Sequence, residues 1–162
     1  MTTKGAEFVD KNITVKGKDY HLLIWDTVGQ ERFRSVTKIF IKDAKIVVFV
    51  YSITDKKSFE EINFWVDTVK CILGDTPVLG LAGNKKDLFQ QEQVTEEEGE
   101  KKAEEIGAIF KLTSAKTKVG INEFIEQLME EYAKKIGDIS DVSQGSKLKS
   151  GNDKEKKKSK LC

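Results

Sequence analysis

The residues best suited to chemistry are Gly83-Asn84-Lys85-Lys86-Asp87, a polar stretch that directly follows the apolar run Val78-Leu79-Gly80-Leu81-Ala82. An ionised carboxylate only accepts hydrogen bonds, so Asp87 can take two adjacent N–H donors such as the N1 hydrogen and 2-amino group of guanine. Adenine offers an acceptor at N1 and no 2-amino group, which would leave that carboxylate unpaired. Asn84 can tie the loop and the base, and the Lys85 stem can cover the ring. A second stretch, Thr113-Ser114-Ala115-Lys116-Thr117, offers the Ala115 amide as a donor to the guanine O6. In a third, Trp25-Asp26-Thr27-Val28-Gly29-Gln30-Glu31, a carboxylate at a strand end precedes a glycine whose bare backbone can approach a phosphate. Singly, the first and last of these along the chain say little, and Asp87 also suits a turn cap. Their order says more, because ligands of open α/β sheets bind beyond the carboxyl ends of the strands.

Elements that would position these loops are legible in the apolar pattern. His21–Trp25, Ile46–Tyr51 and Val78–Ala82 are nearly unbroken apolar runs of strand length, a pattern usual for strands buried on both faces. Phe59, Ile62, Trp65, Val66, Val69, Ile72 and Leu73 recur at helical spacing, with Thr54 or Asp55 as cap and Gly74 as stop. Thr95 and Glu98 form a capping-box pair, Gly107 closes that helix, and Ala108–Leu112 returns to strand. Ile121, Phe124, Ile125, Leu128, Met129, Tyr132 and Ile136 make a final stripe that is expected to end at Gly137. Strand and helix are expected to alternate throughout, giving an α/β fold with a mostly parallel sheet. No internal repeat is visible.

Charge and cysteine usage narrow the class. The chain of 162 residues carries net +1, whereas Lys147 to Cys162 alone carries +5, so the remainder carries −4. A mildly acidic body with a basic tail does not suit nucleic-acid binding, which places positive charge on the folded surface. Two cysteines, Cys71 on a helical stripe and Cys162 at the end, supply no disulfide framework and suggest a reducing compartment. Cys71, Trp25 and Trp65 read as packing residues, and His21, the sole histidine, as structural. The glutamate-rich stretch from 92 to 105 reads as a solvated helix face. Residues 137–162, rich in Ser, Gly, Asp and Lys, read as a disordered tail.

Ile24 to Ser35, IWDTVGQERFRS, resembles the phosphate-sensing switch of the Rab family of small GTPases, with Val28 where alanine is usual. Thr3 to Phe8 resembles the end of the other switch, and Tyr51-Ser52-Ile53-Thr54 with Ser58-Phe59 matches the segment after the next strand. The similarity runs to about Ile136. It implies a three-layer small G domain of P-loop-NTPase type that binds GTP or GDP with Mg²⁺. Thr3 and Asp26 would hold the metal, Gly29 the γ-phosphate, and Gln30 would orient the attacking water. Asn84, Lys85, Asp87, Ser114, Ala115 and Lys116 would bind the base. Arg32 and Phe33 would join an effector-facing surface to which Trp25 also contributes. Partners implied are an exchange factor, a GTPase-activating protein, effectors, and the escort protein and dissociation inhibitor of prenylated Rabs, with no nucleic acid.

The same family carries a Gly-x-x-x-x-Gly-Lys-Ser/Thr loop, with a strand before it and a helix after it, that cradles phosphates. No two of the 12 glycines here stand five apart. Two readings stand open: a sequence that continues upstream into the missing strand, loop and helix, or a short nucleotide-free interaction module. The lysine-rich end finishing in Cys162 resembles a Rab tail, which implies geranylgeranylation and a peripheral place on the cytosolic face of endomembranes. A single terminal cysteine departs from the commoner pair.

Overall fold

The computed structural model describes residues 7–27 and 41–145, with side chains placed for 8–27 and 41–137. Its first elements depart from strict alternation. Strand β1, Glu7–Val15, pairs antiparallel with β2, Lys18–Asp26, from Glu7↔Asp26 to Val15↔Lys18. The turn between them needs only Lys16 and Gly17, at φ 50° and 76°. Positive φ at both central positions is the two-residue turn whose twist matches the flanking strands, and glycine takes it without steric cost. Asp10, Lys11 and Asn12 interrupt the apolar pattern of β1, which hid the strand from a search for apolar runs. The expectation that β2 is buried on both faces also fails: Leu23, Ile24 and Trp25 are exposed. Among the described residues β2 belongs to a two-stranded ribbon, which has no sheet neighbour to enclose it.

The other described strands form one parallel sheet in the order β3-β4-β5, comprising Ile46–Ser52, Val78–Asn84 and Ala108–Leu112. Helices α1 (Lys56–Glu60), α2 (Ile62–Leu73) and α3 (Glu96–Ile106) bury Phe59, Val66, Val69, Ala103 and Ile106 with Phe49, Tyr51 and Leu81 of the sheet. A second cluster, in which Phe124 and Leu128 of α4 (Ile121–Gly145) meet Val78 and Ala82, covers the opposite face. The result is three layers, helix, sheet and helix, as the alternating pattern predicts. No described helix is long and apolar enough to cross a membrane.

Local signals account for most boundaries. Asp55 caps α1 by accepting from the amides of Lys57 and Ser58, and Gly74 ends α2 at φ 62°. The single helix expected over this stretch is divided at Glu61. Cys71 lies off the buried stripe of Ile62, Val66 and Val69 and is exposed, correcting its assignment to the core. Gly137 does not stop α4, which continues to Gly145. One exposed helical glycine costs only about 1 kcal/mol, and a helix already anchored by buried Phe124, Leu128 and Met129 carries that cost.

The capping box of α3 is complete: Thr95 Oγ1 accepts from the Glu98 amide at 3.2 Å, and Glu98 Oε2 accepts from the Thr95 amide at 2.9 Å. Thr95→Ala is expected to lower stability by about 1 kcal/mol in a denaturant titration. An unchanged midpoint would show that the cap contributes nothing.

Candidate functional site

Register decides where the polar loops converge. Ser52 pairs with Asn84 and Gly83 with Leu112, so β3, β4 and β5 end along one edge of the sheet. Asn84 is the last residue of β4, Lys85 turns the chain at φ 67°, and Lys86–Gln91 form a short 3-10 turn that carries Asp87. Main-chain bonds join this loop to the one after β5. The Thr113 amide donates to the Gly83 carbonyl at 2.8 Å, and the Lys86 amide donates to the Thr113 carbonyl at 3.0 Å.

Side chains then lock the two loops together. The Ser114 hydroxyl donates to Asp87 Oδ1 at 2.6 Å and accepts from the Thr117 amide at 3.1 Å. Ser114 is fully buried, and both of its bonds are at least partly shielded from water. Asp87 keeps Oδ2 and the second lone pair of Oδ1 for other donors. Lys116 Nζ stands 3.9 Å from Oδ2 on a largely exposed side chain, a pairing worth little by itself. The Ala115 amide donates to Asn84 Oδ1 at 3.1 Å, so Asn84 joins the two loops. That bond occupies the donor expected to face the guanine O6, so a base would have to share or displace it.

The Ser114 hydroxyl, ahead of the nearby backbone and the Lys116 and Lys85 charges, holds the Asp87 carboxyl below its ordinary pKa. A depressed pKa means that the ionised form, and any recognition it performs, is present through neutral pH and lost only as pH falls through the lowered value. Ser114→Ala removes the main cause. Guanine binding by this variant is expected to weaken about tenfold at neutral pH and to fail at a higher pH than in the parent. A pH titration of affinity with an unmoved acid limb would contradict this role for Ser114.

Tyr51 lies beneath the loops and was not anticipated as part of their support. Its β3 position pairs with Gly83, and its buried hydroxyl has no hydrogen-bond partner among the described residues. Burial, then Glu98 and Glu96, pushes its pKa up to about 12, so it is neutral. Alternation along β3, which sends Phe49 and Tyr51 to the helix-covered face, is the sequence signal that finds it.

Of the other expected site residues, Asp26 is the exposed last residue of β2, on the ribbon rather than the parallel sheet. Thr3, Gly29, Gln30, Arg32, Phe33 and Cys162 lie outside the described residues. Among the described residues no three His, Cys, Asp or Glu side chains gather as a metal site. Asp87, Asn84, Ser114 and Ala115 thus meet at one edge of the sheet, where the Asp87 carboxylate can accept from paired donors.

A three-layer α/β domain with a carboxylate so placed at its strand ends fits a small guanine-nucleotide-binding domain. Residues 1–134 match the sequence model of the Ras family, and the chain belongs to that family. It is thus a small GTPase of the Ras superfamily, a class of switches that bind GTP and GDP with Mg²⁺. Such switches work through exchange factors, activating proteins and effectors.

Proposed function

We propose that this chain is a Rab-type member of its family, a GTP-hydrolysing switch that recruits effectors to a membrane in vesicle traffic. The observation that carries the nucleotide reading is the Asp87 carboxylate fixed by buried Ser114 beside the Asn84–Ala115 bond. The Rab reading rests on IWDTVGQERFRS and on the basic tail ending in Cys162. In it Thr3 and Asp26 hold Mg²⁺, Gly29 meets the γ-phosphate, and Gln30 orients the attacking water. Cys162 carries a geranylgeranyl group, and the lysines beside it add attraction to anionic lipid on the cytosolic face of endomembranes. The escort protein and dissociation inhibitor handle the lipidated form.

Among the described residues strand β3 is an edge of the parallel sheet, with Val48 and Val50 exposed, and the ribbon forms a separate sheet. A strand seated there would pair with β3 and cover apolar surface. Single-turnover GTP hydrolysis tests the proposal. Gln30→Leu is expected to slow it about tenfold or more, because the attacking water loses its orienting group. An unchanged rate would remove Gln30 from the mechanism. Guanine-nucleotide binding without any hydrolysis, in parent and variant alike, would instead favour an interaction module.

A further inference from the structure

The loop that carries Asp87 has little in the core to hold it. Lys86–Gln91 bury no side chain, so their placement falls to polar bonds around the loop and at its two ends. Both ends meet at Ile53, the residue after β3. The Ile53 amide donates to the Asn84 carbonyl at 3.0 Å, and the Ile53 carbonyl accepts from the Gln93 and Val94 amides at 2.7 and 3.1 Å. Ile53 and Val94 are fully buried, so one fixed residue closes the loop where it leaves β4 and again where it approaches α3.

Side chains reinforce the second closure from outside. The Lys56 amide donates to Gln93 Oε1 at 3.4 Å, and Lys56 Nζ meets Glu98 Oε1 at 2.5 Å. The same ammonium lies 5.3 Å from the centre of the buried Phe59 ring, a second attraction that holds it in place. Glu98 therefore has two tasks: Oε2 completes the cap of α3, and Oε1 ties that helix to the start of α1. Capping needs only an acceptor, which glutamine also supplies, whereas the bond to an ammonium is stronger from a charged group.

We propose that Lys56 and Glu98 are positioning residues of the guanine loop, which keep its exit closed on Ile53 and so lengthen the time for which a bound guanine nucleotide is retained. The proposal rests on the guanine reading of Asp87 and adds a second fastening to the one that Ser114 provides. The two side chains are 40% and 42% exposed, so their pairing contributes little to global stability. Its effect is local, on a loop that no buried side chain anchors.

Hydrogen exchange and GDP release, both measured on the full chain, test this. Lys56→Met and Glu98→Gln are each expected to speed exchange at the Gln93 and Val94 amides and to release fluorescent GDP about threefold faster, with the thermal midpoint nearly unchanged. The double variant should be no faster than either single one, since each already breaks the same tie. Val78→Ala removes buried volume at the far end of β4 from Asn84 and should do the reverse, lowering the midpoint with release unchanged. Unchanged exchange in both single variants, or release speeded as much by Val78→Ala as by Glu98→Gln, would overturn the proposal. So would faster exchange with release unchanged. Faster exchange in the variants of a parent that binds no GDP would uphold the fastening and overturn the guanine reading.

Discussion

Replacing Asp87 with asparagine is expected to move base preference from guanine to xanthine. Asp87 accepts through both oxygens, matching the N1 hydrogen and 2-amino group of guanine. An asparagine keeps one acceptor and gains an NH₂ donor, which faces the 2-amino group of guanine as donor against donor. Xanthine carries an oxygen at that position and accepts the new donor. A site built to hydrogen-bond a particular edge rejects a mismatched one by about 10⁴-fold, so GDP affinity should fall by about 10²-fold or more while xanthosine diphosphate gains. The exchange is clean because the asparagine oxygen still accepts from Ser114, whose hydroxyl lies 2.6 Å from Asp87 Oδ1 in the parent. Equal loss toward both bases would mean that Asp87 supports the loop and does not read the base.

Gly99→Val is expected to destabilise the fold markedly through a single added side chain. A Cβ at Gly99 would stand 2.5 Å from the Phe110 ring and 2.6 Å from the Tyr51 hydroxyl. Tyr51 is fully buried and packs against Phe59 with ring centroids 4.9 Å apart, so it has little room to withdraw. Forcing extra methyl groups into such packing costs about 2 kcal/mol, even after the helix-propensity gain of replacing glycine. The thermal midpoint should fall by about 5–10 °C. Guanine affinity should fall with it, since Tyr51 pairs with the Gly83 that precedes Asn84. An unchanged midpoint would show that α3 shifts freely from β3.

Much of this was legible in the sequence wherever a local signal and the apolar period agreed. Thr95 with Glu98, Asp55, Gly74 and Gly107 carry their capping chemistry in residue type alone, and the short apolar runs of β3 and β4, bounded by polar turns, favour buried strand over helix. The convergence of Asn84, Asp87 and Ser114 was legible as order along the chain, because parallel strands must end at one edge. Less visible was what depends on register and exposure. The β1 strand is broken by Asp10, Lys11 and Asn12, and its partner β2 looks buried by composition while its Leu23, Ile24 and Trp25 are exposed. Gly137 reads as a stop only if helices end at their first exposed glycine, and the anchored α4 passes through it. The commitment of the Ala115 amide to Asn84 is a matter of fractions of an ångström that spacing does not carry.

The most direct measurement is a titration of the chain with fluorescent GDP and Mg²⁺, carried to millimolar concentration and challenged with unlabelled GTP and ATP. The base-reading geometry predicts binding that GTP displaces at least about 100-fold more effectively than ATP. Displacement by ATP as readily as by GTP, or no guanine binding at any concentration reached, would contradict the assignment of Asp87, Asn84, Ser114 and Ala115 to a guanine site.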